Sequence, residues 1–349
     1  METRPVNSAA FAERDAYYSR IKVDNLAPLW TRLKSLVPPE PAVLGQPHRW
    51  RYEEIRPHVF ESGGLITAAE AERRVLILEN PAFPGESRIT NSLYAGLQLL
   101  LPGEIAPAHR HTQSALRLVL EGGGAYTAVD GEKTIMQEGD FVITPSWAWH
   151  HHGNDSDSPI VWLDGLDIPT VAFFNSTFRE EHHGGAEAAV VRPTGDAMAR
   201  YGSGLLPLDH RPDGLNSPVF NYPFARTRDA LRALARAGAP DPRHGHLLRF
   251  ANPVDGGWAM PTIATMVRLL PAGFSTLPYR SSDACVFVAL EGGGAITIEG
   301  VRLEFGPRDV ITVPGWRSYT LEATREAVLF SFSDRVAQEK LGLFRESHG

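Results

Sequence analysis

Residues 121–127 read EGGGAYT and residues 291–297 read EGGGAIT, a near-verbatim recurrence 170 positions apart. Two further segments recur with it. LLPAGFSTLPYRS at 269–281 tracks the stretch that ends in His109-Arg110-His111, again at an offset of 170, and DVITVPGW at 309–316 tracks DFVITPSW at 140–147 at an offset of 169. A chain that repeats itself over such a period builds one supersecondary unit twice. Its 349 residues suffice for two domains, each with its own core. Within residues 92–166, short apolar runs alternate with turn signals such as Gly122-Gly123-Gly124 and Asp130-Gly131, which predicts antiparallel strands and not long helices. The expected fold is therefore mainly β: two copies of one antiparallel barrel.

The rest of the chain frames those copies. Residues 1–90 read as an N-terminal helical region with lead-in strands. Apolar spacing predicts helices over 8–22 and 27–37, the second stopped by Pro38-Pro39. Thr67 and Glu70 form a capping-box pattern for a short helix, and residues 75–78 read as a strand entering the barrel. The first barrel is assigned to 91–185 and the second to 251–345. The linker between them, 186–250, holds a helix from Arg226 to near Gly238 with one buried stripe.

Composition narrows the partners. A formal charge of −7 and the absence of any basic run argue against nucleic acid or a membrane surface. No apolar run reaches spanning length and the first residues lack a secretory pattern. The single Cys285 lies in an apolar run, which predicts a buried inert thiol and fits a reducing cytoplasm.

The chemistry concentrates in the first copy. His109 and His111 are two apart, so on a strand they share a face. His150 follows a Gly139-Asp140 turn and an apolar strand, and neighbouring strands would bring the three imidazoles to one point. Three neutral nitrogens with an open side suit a divalent transition metal that still admits substrate. The second copy carries Tyr279, Ser281 and Tyr319 at these places, so it is expected to hold no metal there. In the run His150-His151-His152, His152 shares the face of His150 and is either a proton-handling group or a structural partner, while His151 faces solvent or packs outside the barrel. Arg117, six residues after His111, points to the same face and could grip a carboxylate through two hydrogen bonds. Trp162 and Asp164 are two apart on one strand, and an inward Asp164 could accept a proton or orient a histidine.

These residues resemble the cupin superfamily. Gly103, His109 and His111 stand at the spacing of its first motif, and Gly139, Pro145, His150 and Asn154 at that of its second. The chain departs at the acidic ligand, where Ala115 and Leu116 stand, and at the second-motif glycine, which is Trp147. Residues 101–117 (LPGEIAPAHRHTQSALR) closely resemble the gentisate 1,2-dioxygenase family, which includes salicylate and 1-hydroxy-2-naphthoate dioxygenases. The resemblance implies a bicupin of two jelly-roll barrels and an Fe(II) held by His109, His111 and His150. It implies cleavage of an aromatic 2-hydroxy acid by O2 between the carboxyl-bearing and hydroxyl-bearing carbons, and a homotetramer. Gln98, Gly96, Arg73, Tyr94 and Trp162 match substrate-lining positions, beside Arg117, with His152 and Asp164 catalytic. Gly96 is either a barrel-bend glycine or room for a ring substituent. For Arg73 and Trp162, helix capping and core packing compete with substrate contact. Gentisate, salicylate, 5-substituted salicylates and 1-hydroxy-2-naphthoate are the candidate acids. A non-oxidative cupin, an isomerase or small-molecule binding protein, is the rival from another class.

Overall fold

The computed structural model describes residues 8–209 and 215–347. The chain divides into two compact units, Met1–Ala42 and Val43–Gly349. In the first, the helix Ser8–Val23 covers the expected span. The expected helix over 27–37 is instead two short pieces, a 3-10 turn Leu29–Thr31 and Leu33–Leu36, interrupted at Arg32.

In the second unit the two repeats are two antiparallel barrels. The first is closed by two facing sheets. One runs in the order Asn221–Tyr222, Phe141–Thr144, Ala115–Glu121, Ile160–Leu166, Tyr94–Leu100, Val75–Ile77. The other runs Arg179–Glu181, Ile105–His111, His150–Gly153, Tyr126–Val129, Glu132–Ile135. Both outer strands of the first sheet lie outside the span 91–185, because a barrel takes its edges from wherever the chain returns. The second barrel is built on two long bent strands, Cys285–Ile298 and Tyr319–Ser333, paired along most of their length with irregular register at Glu291 to Gly294. Gly294 has no room for a side chain there, since a Cβ would stand 1.9 Å from the Glu322 carbonyl oxygen.

Residues 43–90 do more than decorate. The strand His48–Trp50 pairs with Val310–Val313 of the second barrel, and the helix Tyr52–Leu65 follows it. That helix is hidden in the sequence by Pro57 and the pair Gly63-Gly64. Thr67 and Glu70 form the expected capping box. The linker helix is Phe224–Ala237, beginning two residues before the expected Arg226 and stopped by Gly238, with Leu231 as its buried contact. It starts there because Pro223 precedes the first turn and the Asp140 carboxylate accepts from the Phe224 amide at 2.9 Å.

The barrels pack sheet to sheet. Phe141 of the first meets Phe330 of the second at 5.4 Å between ring centroids. The junction repeats its own polar contacts. Asp167 accepts from the Ser114 amide at 2.9 Å and, across the junction, from the Thr262 hydroxyl at 2.6 Å. Asp334 accepts from the Ala284 amide at 2.9 Å and pairs across it with the Ser92 side chain. Burial pushes both carboxyls up to about 6.

Candidate active site

The two ligand-bearing strands pair so that His109 lies opposite His150. With His111 these residues offer ligand atoms all within 4.8 Å of one another. Their orientation is set from behind. His111 Nδ1 lies 2.9 Å from the Gln113 carbonyl and His150 Nδ1 2.9 Å from the Ala148 carbonyl. A carbonyl only accepts, so both rings carry their proton on Nδ1 and turn a bare Nε2 inward. The His150 Nε2 is buried and has no partner. Burial holds His109 down to about 2 and His111 to about 4, and places His150 well below its ordinary value. All three are neutral bases at physiological pH, the form a divalent cation needs. The donor set thus fits a transition metal.

His109 has a different back contact. The Arg73 Nη2 lies 2.8 Å from its Nδ1 and 2.5 Å from the Pro107 carbonyl. Guanidinium only donates, so His109 Nδ1 is the acceptor here and the neutral ring carries its proton on Nε2. A cation at the triad requires Arg73 to give up this contact, after which the proton can sit on one ring nitrogen of His109 and the other is free to bind. Arg73 is half-buried, and its Nη1 also donates at 3.0 Å to the carbonyl of Glu72, the residue that ends the helix Ala68–Ala71; burial and the charge of Arg117 lower it to about 9.

The facing sheet presents the remaining predicted residues on its inner side. Asp164 is paired with Gly96 on one flank and Arg117 on the other, and Trp162 with Gln98. Arg117 is 4% exposed; its Nε stands 3.4 Å from Asp164 Oδ1 and its Nη1 donates to Thr144 Oγ1. Trp162 is fully buried and its Nε1 donates to Asp164 at 3.1 Å. Burial raises Asp164 to about 6, with Arg117 acting against the rise. Burial also pushes the Tyr94 hydroxyl up. His152 is fully buried; Thr127 Oγ1 holds its Nδ1 at 2.6 Å, and its Nε2 has no partner. Gln98 Nε2 and Arg117 Nε are likewise buried without hydrogen-bond partners. Buried polar atoms are normally paired, so the unpartnered Nε2 atoms of His150, His152 and Gln98 on the inner faces of one barrel, beside the Arg117–Asp164 pair, mark a place suited to a polar guest.

Two readings that stood open are decided. Of the two places for His151, the structure shows the packed one: it is 1% exposed, against the Tyr126 ring, with Nε2 3.5 Å from Glu187 and Nδ1 accepting from the Ala188 amide. The segment after the barrel covers that side of the sheet, which strand alternation alone does not reveal. Gly96 is not open room. A Cβ there would stand 2.4 Å from Val75 Cγ1 and 2.9 Å from the Tyr94 hydroxyl, so the space is already taken by these two side chains. Thr127 and Thr144, which hold His152 and Arg117, and Val75 were not singled out in the sequence. The recurrence of Thr127 as Thr297 pointed to fold, not chemistry.

Fold and donor set together define a bicupin with a histidine-lined first barrel. The cupin domain model matches residues 96–166. The chain is 53% identical over 97% of both chains to gentisate 1,2-dioxygenase 1 of Aquipseudomonas alcaligenes. It is 33% identical to the 5-aminosalicylate 1,2-dioxygenase of a Comamonas species, over 95% of this chain and 89% of that one. The crystal structure of the salicylate 1,2-dioxygenase from Pseudoaminobacter salicylatoxidans in adducts with gentisate superposes with a TM-score of 0.90 at 32% identity, covering 99% of this chain and 95% of that one. The chain belongs to the gentisate and salicylate 1,2-dioxygenase family of ring-cleaving enzymes.

Proposed function

We infer that this chain is a gentisate 1,2-dioxygenase, inserting both atoms of O2 between the carboxyl-bearing and hydroxyl-bearing ring carbons to give a maleylpyruvate-type acid. The observation that carries the reading is the neutral histidine triad facing an arginine-lined wall inside one closed barrel. His109, His111 and His150 would hold ferrous iron. Bound there, the iron supplies the redox step that lets O2 react with the ring. Zinc fits the same ligands but has no accessible redox change.

The chain's own groups bind and orient. The substrate carboxylate calls for a cation, and Arg117, buried on the inner wall with an Nε that makes no hydrogen bond, supplies the guanidinium to meet it. Arg73 stands beside His109 as a second donor. His152 Nε2, bare or protonated, sits where it can take or return the proton of the ring hydroxyl, with Thr127 fixing the ring. Gln98 donates from the floor, Trp162 holds Asp164, and the packed set Tyr94, Gly96 and Val75 limits the ring. That limit favours a monocyclic acid, gentisate or a 5-substituted salicylate, over 1-hydroxy-2-naphthoate. The chain is expected to work as a homotetramer in the cytoplasm, in line with its lone buried Cys285 and the lack, among the described residues, of a helix able to cross a membrane.

The test is oxygen uptake by Fe(II)-reconstituted protein with gentisate, salicylate, 5-aminosalicylate and 1-hydroxy-2-naphthoate. Uptake fastest with gentisate supports the reading. Faster uptake with another acid transfers the reading to that acid, and no uptake with one iron bound per chain overturns it in favour of a non-oxidative cupin.

A further inference from the structure

The second barrel has kept an interior that its apolar core does not explain. Arg268 stands at the place of Gln98, 170 residues on, and is 2% exposed. It shares its strand face with Leu270 and pairs with Leu329, both part of the apolar cluster inside this barrel. Its guanidinium lies over the Phe287 ring at 4.9 Å and shares a hydrogen bond with Tyr319. Its Nε and Nη1 have no hydrogen-bond partner, and among the described residues no carboxylate forms an ion pair with it. Asp283 and Asp334 are buried in the same barrel, yet Asp283 leaves one oxygen unpartnered and Asp334 is taken up at the junction. A buried cation without a counter-charge is costly, and barrels do not retain one without compensation.

The residues that replaced the triad turn the chemistry of the place around. His109, His111 and His150 offer lone pairs, whereas the hydroxyls that replace them offer none to a metal in the same way: those of Tyr279 and Ser281 are engaged with Glu346 and with each other, and Tyr319 and the two unpartnered nitrogens of Arg268 are the donors that face the place. Tyr279 and Tyr319 are almost fully buried, with their rings 5.9 Å apart. Tyr279 donates to Glu346, and the His244 ring stands 4.6 Å from it. Acceptors suit a cation; donors around an arginine suit an anion. We propose that the second barrel binds one small monovalent anion, a halide or a formate-sized carboxylate, against Arg268 at the position equivalent to the histidine triad. The anion supplies the missing counter-charge and stabilises the barrel that packs against the catalytic one. The proposal does not depend on which acid the first barrel cleaves.

The experiment uses the iron-loaded full chain at constant ionic strength, with gluconate replaced stepwise by chloride, bromide or formate. The thermal midpoint should rise by about 2–4 °C and saturate. The rise should vanish in Arg268→Met, with oxygen uptake at saturating substrate unchanged. The salt that saturates at the lowest concentration separates a halide from a carboxylate. A response equal in all salts, or kept by Arg268→Met, overturns the proposal. Should that variant fail to fold, crystals of the natural chain grown in bromide decide. An anomalous peak within hydrogen-bond reach of Arg268 supports the site, and the lack of one there with bromide, together with no formate response, overturns it.

Discussion

Gly96 shows how one residue without a side chain can shape a pocket by what it lets in. Its missing Cβ is replaced by Val75 Cγ1 and the Tyr94 hydroxyl, so the wall is closed by neighbours and not by the residue itself. Gly96→Ala must displace one of them, and under the proposed function the Tyr94 ring is the one that would border the substrate. The variant is expected to lose about 10-fold to 100-fold in kcat/KM for gentisate, the scale of a small misplacement of a bound ring. Val75→Ala in the same chain removes the tighter clash and should restore most of the loss. Steady-state oxygen uptake of the single and double variants checks this; equal rates in both single and double variants would show that crowding is not the cause.

At the scale of elements, the ligand strands are clamped from outside. Arg110, between His109 and His111, stacks between Trp147 and Trp149, 4.7 Å from each ring, and pairs with Glu180 at 2.6 Å. Trp147 sits at φ 63°, a costly conformation for a bulky residue, and its amide donates to the His111 carbonyl at 2.7 Å. The second barrel repeats this with Arg280 over Trp316, also at φ 63°, and an amide bonded to Ser281. Retention of the turn where the triad is gone marks it as part of the fold, yet only in the first barrel does it bear on the three histidines. Arg110→Met should lower iron retained per chain after dialysis several-fold, while Arg280→Met leaves it unchanged. Equal retention in both would contradict the clamp.

The sequence made these elements legible to different degrees. The repeat, the glycine turns and the capping box are local signals, and they located both barrels. The strand His48–Trp50 and the edge strand Asn221–Tyr222 are defined by partners far along the chain, and so could not be read locally. Likewise, two-residue alternation placed His109, His111, Arg117 and Asp164 on inner faces. The burial of His151 and the filling of Gly96 depend on distant segments, the stretch around Glu187 and the strand Val75–Ile77.

For the whole molecule, the junction between barrels sets a pH dependence. Asp167 is 2% exposed and its folded pKa, about 6, is above that of an unfolded aspartate. Between about pH 4 and 6 the folded chain therefore holds a proton that the unfolded chain has lost, and stability falls as pH rises through this window. Asp167→Asn removes the titration. The stability of the natural chain minus that of the variant should fall by on the order of 2–3 kcal/mol from pH 4 to pH 6 and stay level above. Denaturant unfolding at several pH values reads the difference directly; a flat or rising difference would contradict a buried carboxyl at the junction.

Insertion of both atoms of O2 into an aromatic acid by one histidine-lined barrel can be followed atom by atom. The most direct measurement is the mass of the product formed from gentisate under oxygen-18 gas, with the natural chain and with His111→Ala. The account predicts a ring-opened acid carrying two labelled oxygens per molecule, and no product from the variant. A product with one label or none, or equal turnover by His111→Ala, would contradict it.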